Sequence, residues 1–145
     1  MSVGDATSQE LSAEELVRLR ETFARVPYVG LLGLEFVRAE RGAATFALDV
    51  REELTRMGGI VHGGAVVSLL DTAAAFAVHT VIEPDGRTVT VDLTVHFLCP
   101  AKGGRIEAHA RILRRGRRVC ILSVEARDGS AEIIATATMT YFIQT

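Results

Sequence analysis

Polar and apolar positions alternate strictly over residues 88–98. Thr88, Thr90, Asp92, Thr94 and His96 fall on one side, and Val89, Val91, Leu93, Val95 and Phe97 on the other. A period of two predicts a β-strand with one polar and one apolar face. Upstream, residues 63–82 are apolar at nearly every position and predict a long helix that is hydrophobic almost all round. Ser12, Ala13, Glu14 and Glu15 have the spacing of a capping box. Leu16, Leu19, Arg20 and Phe23 keep a helical spacing behind it, and Pro27 closes the segment, so a cover helix is expected there. Extended runs over 34–40 and 43–50 flank Arg41-Gly42 and read as a β-hairpin, because glycine takes the positive φ of a tight turn. Residues 51–61, with Gly58-Gly59, predict a loop into the apolar helix. Glu83-Pro84-Asp85-Gly86 is a turn by composition. Lys102-Gly103-Gly104, Arg115-Gly116 and Asp128-Gly129 then punctuate three runs, 105–113, 117–126 and 132–142, which extend the strand at 88–98 into a four-stranded meander with short turns.

The order is hairpin, one very apolar helix, then four strands. A helix that must be covered on several sides calls for a strongly curved sheet, so the expected architecture is α+β. In it, a long central helix is wrapped by six antiparallel strands, with an N-terminal cover helix. The 145 residues suffice for one domain, read as a flexible leader over 1–11 and a single domain over 12–145.

Composition narrows the class. Hydrophobic residues make up 48 % and charged residues 23 % of the chain, enough apolar side chain for a sizeable core. A net charge of −2 removes the general electrostatic case for nucleic acid or an anionic membrane surface, so any anion site is local. Asp71 and His79 argue against a membrane span in the apolar helix. Cys99 and Cys120 form neither a metal-ligand pair nor a disulfide framework and read as small buried hydrophobes in strand-like segments. With a polar N-terminus that carries no apolar run, this favours a reduced, cytoplasmic setting. No His or Cys cluster suggests a metal.

The polar exceptions on the apolar helix carry the chemistry. Ser68, Asp71, Thr72 and His79 fall on one side of it. An Asp so placed is hydrogen-bonded, protonated or facing a cleft, and it is either a working carboxylate, one satisfied by neighbouring hydroxyls, or a subunit contact. His62-Gly63-Gly64 stands at the helix start, where first-turn N–H groups lack partners and the dipole favours an oxyanion. The plainer reading is a flexible entrance with a polar loop histidine. Arg111, Arg114, Arg115, Arg117 and Arg118 ring a hairpin tip, with Lys102 and Arg105 on a neighbouring turn. They read as a solvated edge or a phosphate contact. Asp92 and His96 share the polar face of the strand with Thr90, and His79 is expected in a structural role at the helix end.

Taken together, GGIVHGGAVVSLLDTAAAFAVHT, the strand VTVDLTVHFLCPAKGG and the final ATATMTYF resemble the hotdog-fold acyl-CoA thioesterases, in the branch typified by phenylacetic-acid-degradation (PaaI-type) enzymes, over residues 26–143. The resemblance implies a hotdog fold with active sites at a dimer interface, within a homodimer or a dimer of dimers, and an acyl-CoA substrate. Coenzyme A then enters only as part of that substrate, with no separate cofactor. It implies that Asp71 is general base or nucleophile, that the Gly63 N–H polarises the thioester carbonyl, that His62 shapes the pocket and that Thr90 helps orient the attacking water. Asp71 and Thr90 would come from one subunit, His62 and Gly63 from the other, and because dimers of the family pair the strand at 88–98 across the two-fold axis, Asp92 and His96 are expected at the interface rather than lining the cleft. Gly64, Ser68, Thr72 and Arg56 become candidate substrate-binding residues, and Arg115, Arg117 and Arg118 candidate coenzyme A contacts. Arg56 departs from the pattern: family members often carry Asn or Gln there, and a guanidinium cannot accept a hydrogen bond. Two other activities share the fold, an acyl-CoA sensor without catalysis and a hydratase, and the second uses different motifs.

Overall fold

The computed structural model describes residues 10–101 and 104–144. In chain order the elements are α1 (Ala13–Ala24), α2 (Pro27–Leu32), β1 (Leu34–Glu40), β2 (Ala43–Asp49), a 3-10 turn (Glu52–Leu54), α3 (Gly63–His79), β3 (Arg87–Phe97), β4 (Arg105–Arg115), β5 (Val119–Arg127) and β6 (Ile133–Gln144). All six strands form one antiparallel sheet in the order β1-β2-β4-β5-β6-β3, wrapped around α3. Residues 1–9 of the expected leader lie outside the described residues, and Leu11 is already buried in the core.

Four expectations are corrected. The strands after α3 do not form a simple meander: β4, β5 and β6 do, but β3 pairs with β6 at the far edge. The reason is the connection from β3 to β4, which is seven residues (98–104) rather than a tight turn. Crossing three strand spacings takes roughly 14 Å, within the roughly 23 Å such a connection can span. The segment is anchored as it passes, by bonds from Leu98 N–H to the Ile134 carbonyl, Val61 N–H to Ala101 and Val50 N–H to Gly104. Second, α3 stops at His79 rather than Ile82, because Thr80 turns its hydroxyl onto the Ala77 carbonyl at 2.6 Å and ends the helix. Third, α1 ends at Ala24 and Pro27 opens a further short helix, α2, as proline suits the first helical turn. Cys120 is buried in β5, but Cys99 sits half-buried in the crossing segment rather than in a strand.

The core explains the wrapping. Leu69, Leu70, Ala73, Ala74, Ala77 and Val78 of α3 are fully buried against Phe46, Leu48, Ile106, Leu122, Val124 and Met139 of the sheet. Small side chains on both surfaces, such as Ala73 and Ala77 facing a sheet that carries Ala108 and Ala126, let helix and strands approach closely. At one end Phe23, Phe36, Phe46 and Phe76 form a cluster with centroid separations from 4.9 to 6.4 Å, which ties α1 to the sheet.

Both ends of α3 are fixed. The β1–β2 turn caps its C-terminus: Gly42, at φ 84°, donates its N–H to the Thr80 hydroxyl at 2.7 Å. Arg41 donates to the Thr80 carbonyl at 3.1 Å and forms an ion pair with Glu15 of the α1 capping box at 3.0 Å. His79 stacks on Phe76 at 5.5 Å, and burial depresses its basicity.

A histidine whose folded pKa lies below its unfolded value, near 6.5, binds fewer protons folded than unfolded. Its contribution to stability is therefore full above that value and is lost as pH falls below it. His109, depressed by burial and by Arg38, acts in the same sense. Urea unfolding is expected to show stability falling between about pH 8 and pH 5, with a shallower fall in His79→Gln. Equal slopes in the two proteins would detach His79 from the effect.

Candidate active site

The least buried residues of α3 are Gly63, Gly64, Val67, Ser68, Asp71, Thr72, Ala75 and His79, the face that holds its polar stripe. That face looks along β3. Thr90 of β3 donates to Asp71 Oδ1 at 2.9 Å, and at the other end of the strand the ring of Phe97 lies over Gly63. A β-bulge at Val91 makes both contacts possible. Strict alternation places Thr90 and Phe97 on opposite faces, but the pairing with β6 steps from Thr90–Tyr141 to Asp92–Thr140 and leaves Val91 as an extra residue. The alternation reverses there, so Thr90 and, further on, Val95 and Phe97 all turn toward α3.

Asp71 is half-buried, and its carboxylate is tied down on one side. Oδ1 accepts from the Thr90 hydroxyl and also from the phenol of Tyr141. The same phenol reaches the Asp71 main-chain carbonyl at 2.7 Å. Among the described residues, nothing donates to Oδ2. Burial first, and the Asp71 charge second, push the Tyr141 phenol far above its ordinary pKa, so it stays neutral and keeps its proton to donate.

His62 is the N-cap of α3, and its Nδ1 accepts from Gly64 N–H at 2.8 Å. An accepting Nδ1 puts the proton of the neutral ring on Nε2. The Gly64 amide is thus occupied, whereas the Gly63 N–H has no acceptor among the described residues. A Cβ on Gly63 would stand 3.2 Å from the end of the Phe97 ring, so that exposed side chain would have to give by a few tenths of an ångström to admit one. Gly63 opens onto an apolar cleft of about 330 Å³, bounded by Arg56, Val66, Phe97, Leu98, Pro100 and Ile134. Arg56 is exposed and bonds to the Met57 carbonyl at 3.3 Å, on the Gly63 side of the molecule.

Ser68 and Thr72 turn back on the helix, donating to the Gly64 and Ser68 carbonyls at 2.9 and 2.8 Å. Since the Ser68 proton is so used, the phenol of Tyr28 on α2 is the donor in its 2.8 Å contact with Ser68 Oγ. Arg115, Arg117 and Arg118 are exposed at the β4–β5 tip. The pairings Thr90–Tyr141, Tyr141–Cys120 and Cys120–Arg115 put Arg115 in the same row as Thr90, three strands away. Its guanidinium folds onto its own turn, bonding the Gly116 and Arg117 carbonyls.

Within one chain, then, Asp71 gathers with Thr90 and Tyr141, and Gly63 with His62 and Arg56. The two groups are separated by eight residues of helix, about 12 Å along its axis.

Comparison with known proteins identifies the family. The sequence profile of the thioesterase superfamily matches residues 58–135, from the loop before α3 into β6. The chain belongs to the thioesterase superfamily. It is 33 % identical to a medium/long-chain acyl-CoA thioesterase, YigI, of Salmonella typhimurium, covering 94 % of this chain and 99 % of that one. It is 35 % identical to a protein of Saccharolobus solfataricus named as an esterase, covering 89 % and 81 %. A thioesterase family protein from Silicibacter pomeroyi superposes with a TM-score of 0.84 at 29 % identity, covering 89 % and 97 %. The E. coli PaaI protein superposes with a TM-score of 0.86 at 20 % identity, covering 94 % and 97 %, which shows the hotdog fold. This is a thioesterase enzyme, and thioester hydrolysis is its general chemistry.

Tyr141 is the site residue that sequence reasoning passed over. A signal was present. Tyr141 is one of two tyrosines in the chain and sits in an alternating run whose neighbours Met139 and Ile143 are aliphatic, and a buried phenol among aliphatic side chains needs a polar partner. What sequence does not reveal is that the partner is Asp71.

The cap at His62 yields a direct test. His62→Ala removes the acceptor for Gly64 N–H and is expected to destabilise the protein by about 1 kcal/mol, whereas His62→Asn keeps most of that stability. Urea denaturation of the three proteins reads the difference.

Proposed function

We propose that this thioesterase hydrolyses acyl-CoA to free acid and coenzyme A in the cytoplasm, at a site shared between two copies of the chain. The observation that carries the reading is the single carboxylate on α3, half-buried, with Oδ1 held by Thr90 and Oδ2 without a donor among the described residues. Asp71 serves as general base on water or as nucleophile. In the first case, the Asp71 carboxylate takes a proton from water as its oxygen bonds to the thioester carbon, and negative charge moves onto the carbonyl oxygen. An N–H aimed at that oxygen stabilises it, and the Gly63 amide at the positive end of the α3 dipole is suited to the task. Collapse breaks the C–S bond, and the departing thiolate recovers the proton.

The two groups cannot meet on one carbonyl within a chain, because about 12 Å of helix separates them. A second copy resolves this. β3 is an edge strand of 11 residues whose outward side is unpaired, and Val89, Val91 and Phe97 on it are 47 %, 59 % and 56 % exposed. A long apolar edge is covered in soluble proteins. A two-fold axis through the middle of β3 exchanges its ends, which carries the partner's Gly63 toward Asp71. His62 and Gly64 come with it, while Arg56 lines the entrance and Asp92 and His96 lie along the shared strand. Arg117 and Arg118 are exposed, and Arg118 meets β6 at Ile143, the partner of Thr88, so their charge at the Asp71 end of β3 suits them to the phosphates of coenzyme A.

Thiol release from short, medium, long and aryl acyl-CoAs tests the reading. YigI is a medium/long-chain enzyme, so those lengths are expected to turn over best. Asp71→Asn is expected to lose about a hundredfold or more in kcat. Intact acyl-CoA retained by the wild-type protein would mark a binder instead.

Gly63→Pro tests the amide, since proline lacks the N–H yet suits the first helical position, and His62 at ψ 133° already has the conformation that precedes proline. When Asp71→Ala and Gly63→Pro chains are co-expressed, half the dimers are mixed, and each mixed dimer has one intact site. Activity of about a quarter of wild type is then expected from two inactive parents. No recovery would place both groups in one chain.

A further inference from the structure

We propose that Tyr141 is the positioning residue of this site: its phenol fixes the Asp71 carboxylate so that Oδ2, and not Oδ1, is the oxygen that acts on the thioester. The inference rests on Asp71 being the working carboxylate. Three observations carry it.

The phenol touches Asp71 twice, at the main-chain carbonyl at 2.7 Å and at Oδ1. A group that contacts both the backbone and the side chain of one residue restricts the rotation between them, so the carboxylate cannot swing away from the direction set by the helix. The phenol is itself immobile. Tyr141 is 1 % exposed, on a strand paired on both sides, with Thr90 opposite it on β3 and Cys120 on β5. Rigid support of this kind holds a reacting group to within fractions of an ångström.

The second donor to Asp71, the Thr90 hydroxyl, goes to the same oxygen. With two donors on Oδ1 and none among the described residues on Oδ2, the carboxylate is divided into a held oxygen and a presented one. The arrangement is also built in by register. The β3 bulge at Val91 falls immediately after the Thr90–Tyr141 pair, so Thr90 and Tyr141 converge on Asp71 before the faces exchange.

Tyr141→Phe removes only the oxygen. The ring still fills its space, and the Asp71 carbonyl keeps the helical N–H four residues on. The expected result is a fall in kcat of about tenfold to a hundredfold, of the size that misplacement of a reacting group produces, with KM within twofold and a melting temperature within a few degrees of wild type. The rate lost should not return in Tyr141→Leu, which lacks both ring and phenol. Incorporation of 3-fluorotyrosine at position 141, which keeps a donor of altered acidity, should restore most of kcat and displace the pH profile of kcat.

Wild-type kcat in Tyr141→Phe would overturn the proposal. So would a rate loss matched by a rise in KM and a fall in melting temperature, which mark a purely structural residue, or failure of 3-fluorotyrosine to restore turnover in a folded protein. Asp71→Asn, run alongside, separates the two levels. If it is inactive while Tyr141→Phe is not, only the positioning role fails. If Asp71→Asn keeps its rate, the reading of the site itself fails.

Discussion

The α3 helix carries apolar side chains around most of its circumference, and water must be excluded from nearly all of them at once. A flat sheet covers one stripe of a helix, so the sheet here has to curl, and a curled sheet of six strands leaves one edge lying beside the helix face it has not enclosed. That edge is β3. The less buried face of α3, with Ser68, Asp71 and Thr72, lies along it. The position of the polar stripe, and of the proposed chemistry, therefore follows from incomplete wrapping: polar groups are tolerated on α3 where the sheet stops, and there they stand next to the edge strand.

A carboxylate in such a place is expensive to keep unless its lone pairs are met. Among the described residues the requirement is met on one oxygen only, by Thr90 and Tyr141, the single phenol proton being shared between that oxygen and the main-chain carbonyl of the same residue. Satisfying one oxygen twice, rather than each oxygen once, leaves a group that is anchored and still available. The opposite treatment is seen at Ser68 and Thr72, whose hydroxyl protons are returned to helix carbonyls, the Ser68 oxygen being met in addition by the Tyr28 phenol. Along one stripe of α3 the structure thus separates polar side chains that are closed off from one that is held open.

Much of this was legible in the sequence, and the part that was not has identifiable causes. The capping box at Ser12 and Glu15, the hairpin at Arg41-Gly42, the apolar helix from Gly63 and all six strands are local patterns, set by neighbours three or four residues apart, and they form where expected. The order of strands is not local. It depends on whether the segment after Phe97 turns back or crosses over, and its Lys102-Gly103-Gly104 reads as a turn in either case. The bulge at Val91 was hidden for a similar reason: the alternation through Val89, Val91 and Leu93 is unbroken in sequence, and only pairing with β6 exposes the extra residue. That one irregularity decides whether Phe97 faces solvent or Gly63.

The same logic accounts for the separation of Asp71 from Gly63. The N–H groups that attract an oxyanion exist only at a helix start, whereas a carboxylate there would itself occupy them. An Asp within reach of the Gly63 amide would compete with substrate for it, as His62 already does for the amide of Gly64. Placing the carboxylate two turns down the helix avoids the competition but puts it beyond reach of the same carbonyl. In the proposed dimer the conflict disappears, because donor and carboxylate would belong to helices running in opposite directions about a two-fold axis at the β3 edge. The proposed dimer would use three features together: an exposed edge strand, an amide at one end of α3 without an acceptor among the described residues, and a half-held carboxylate farther along it.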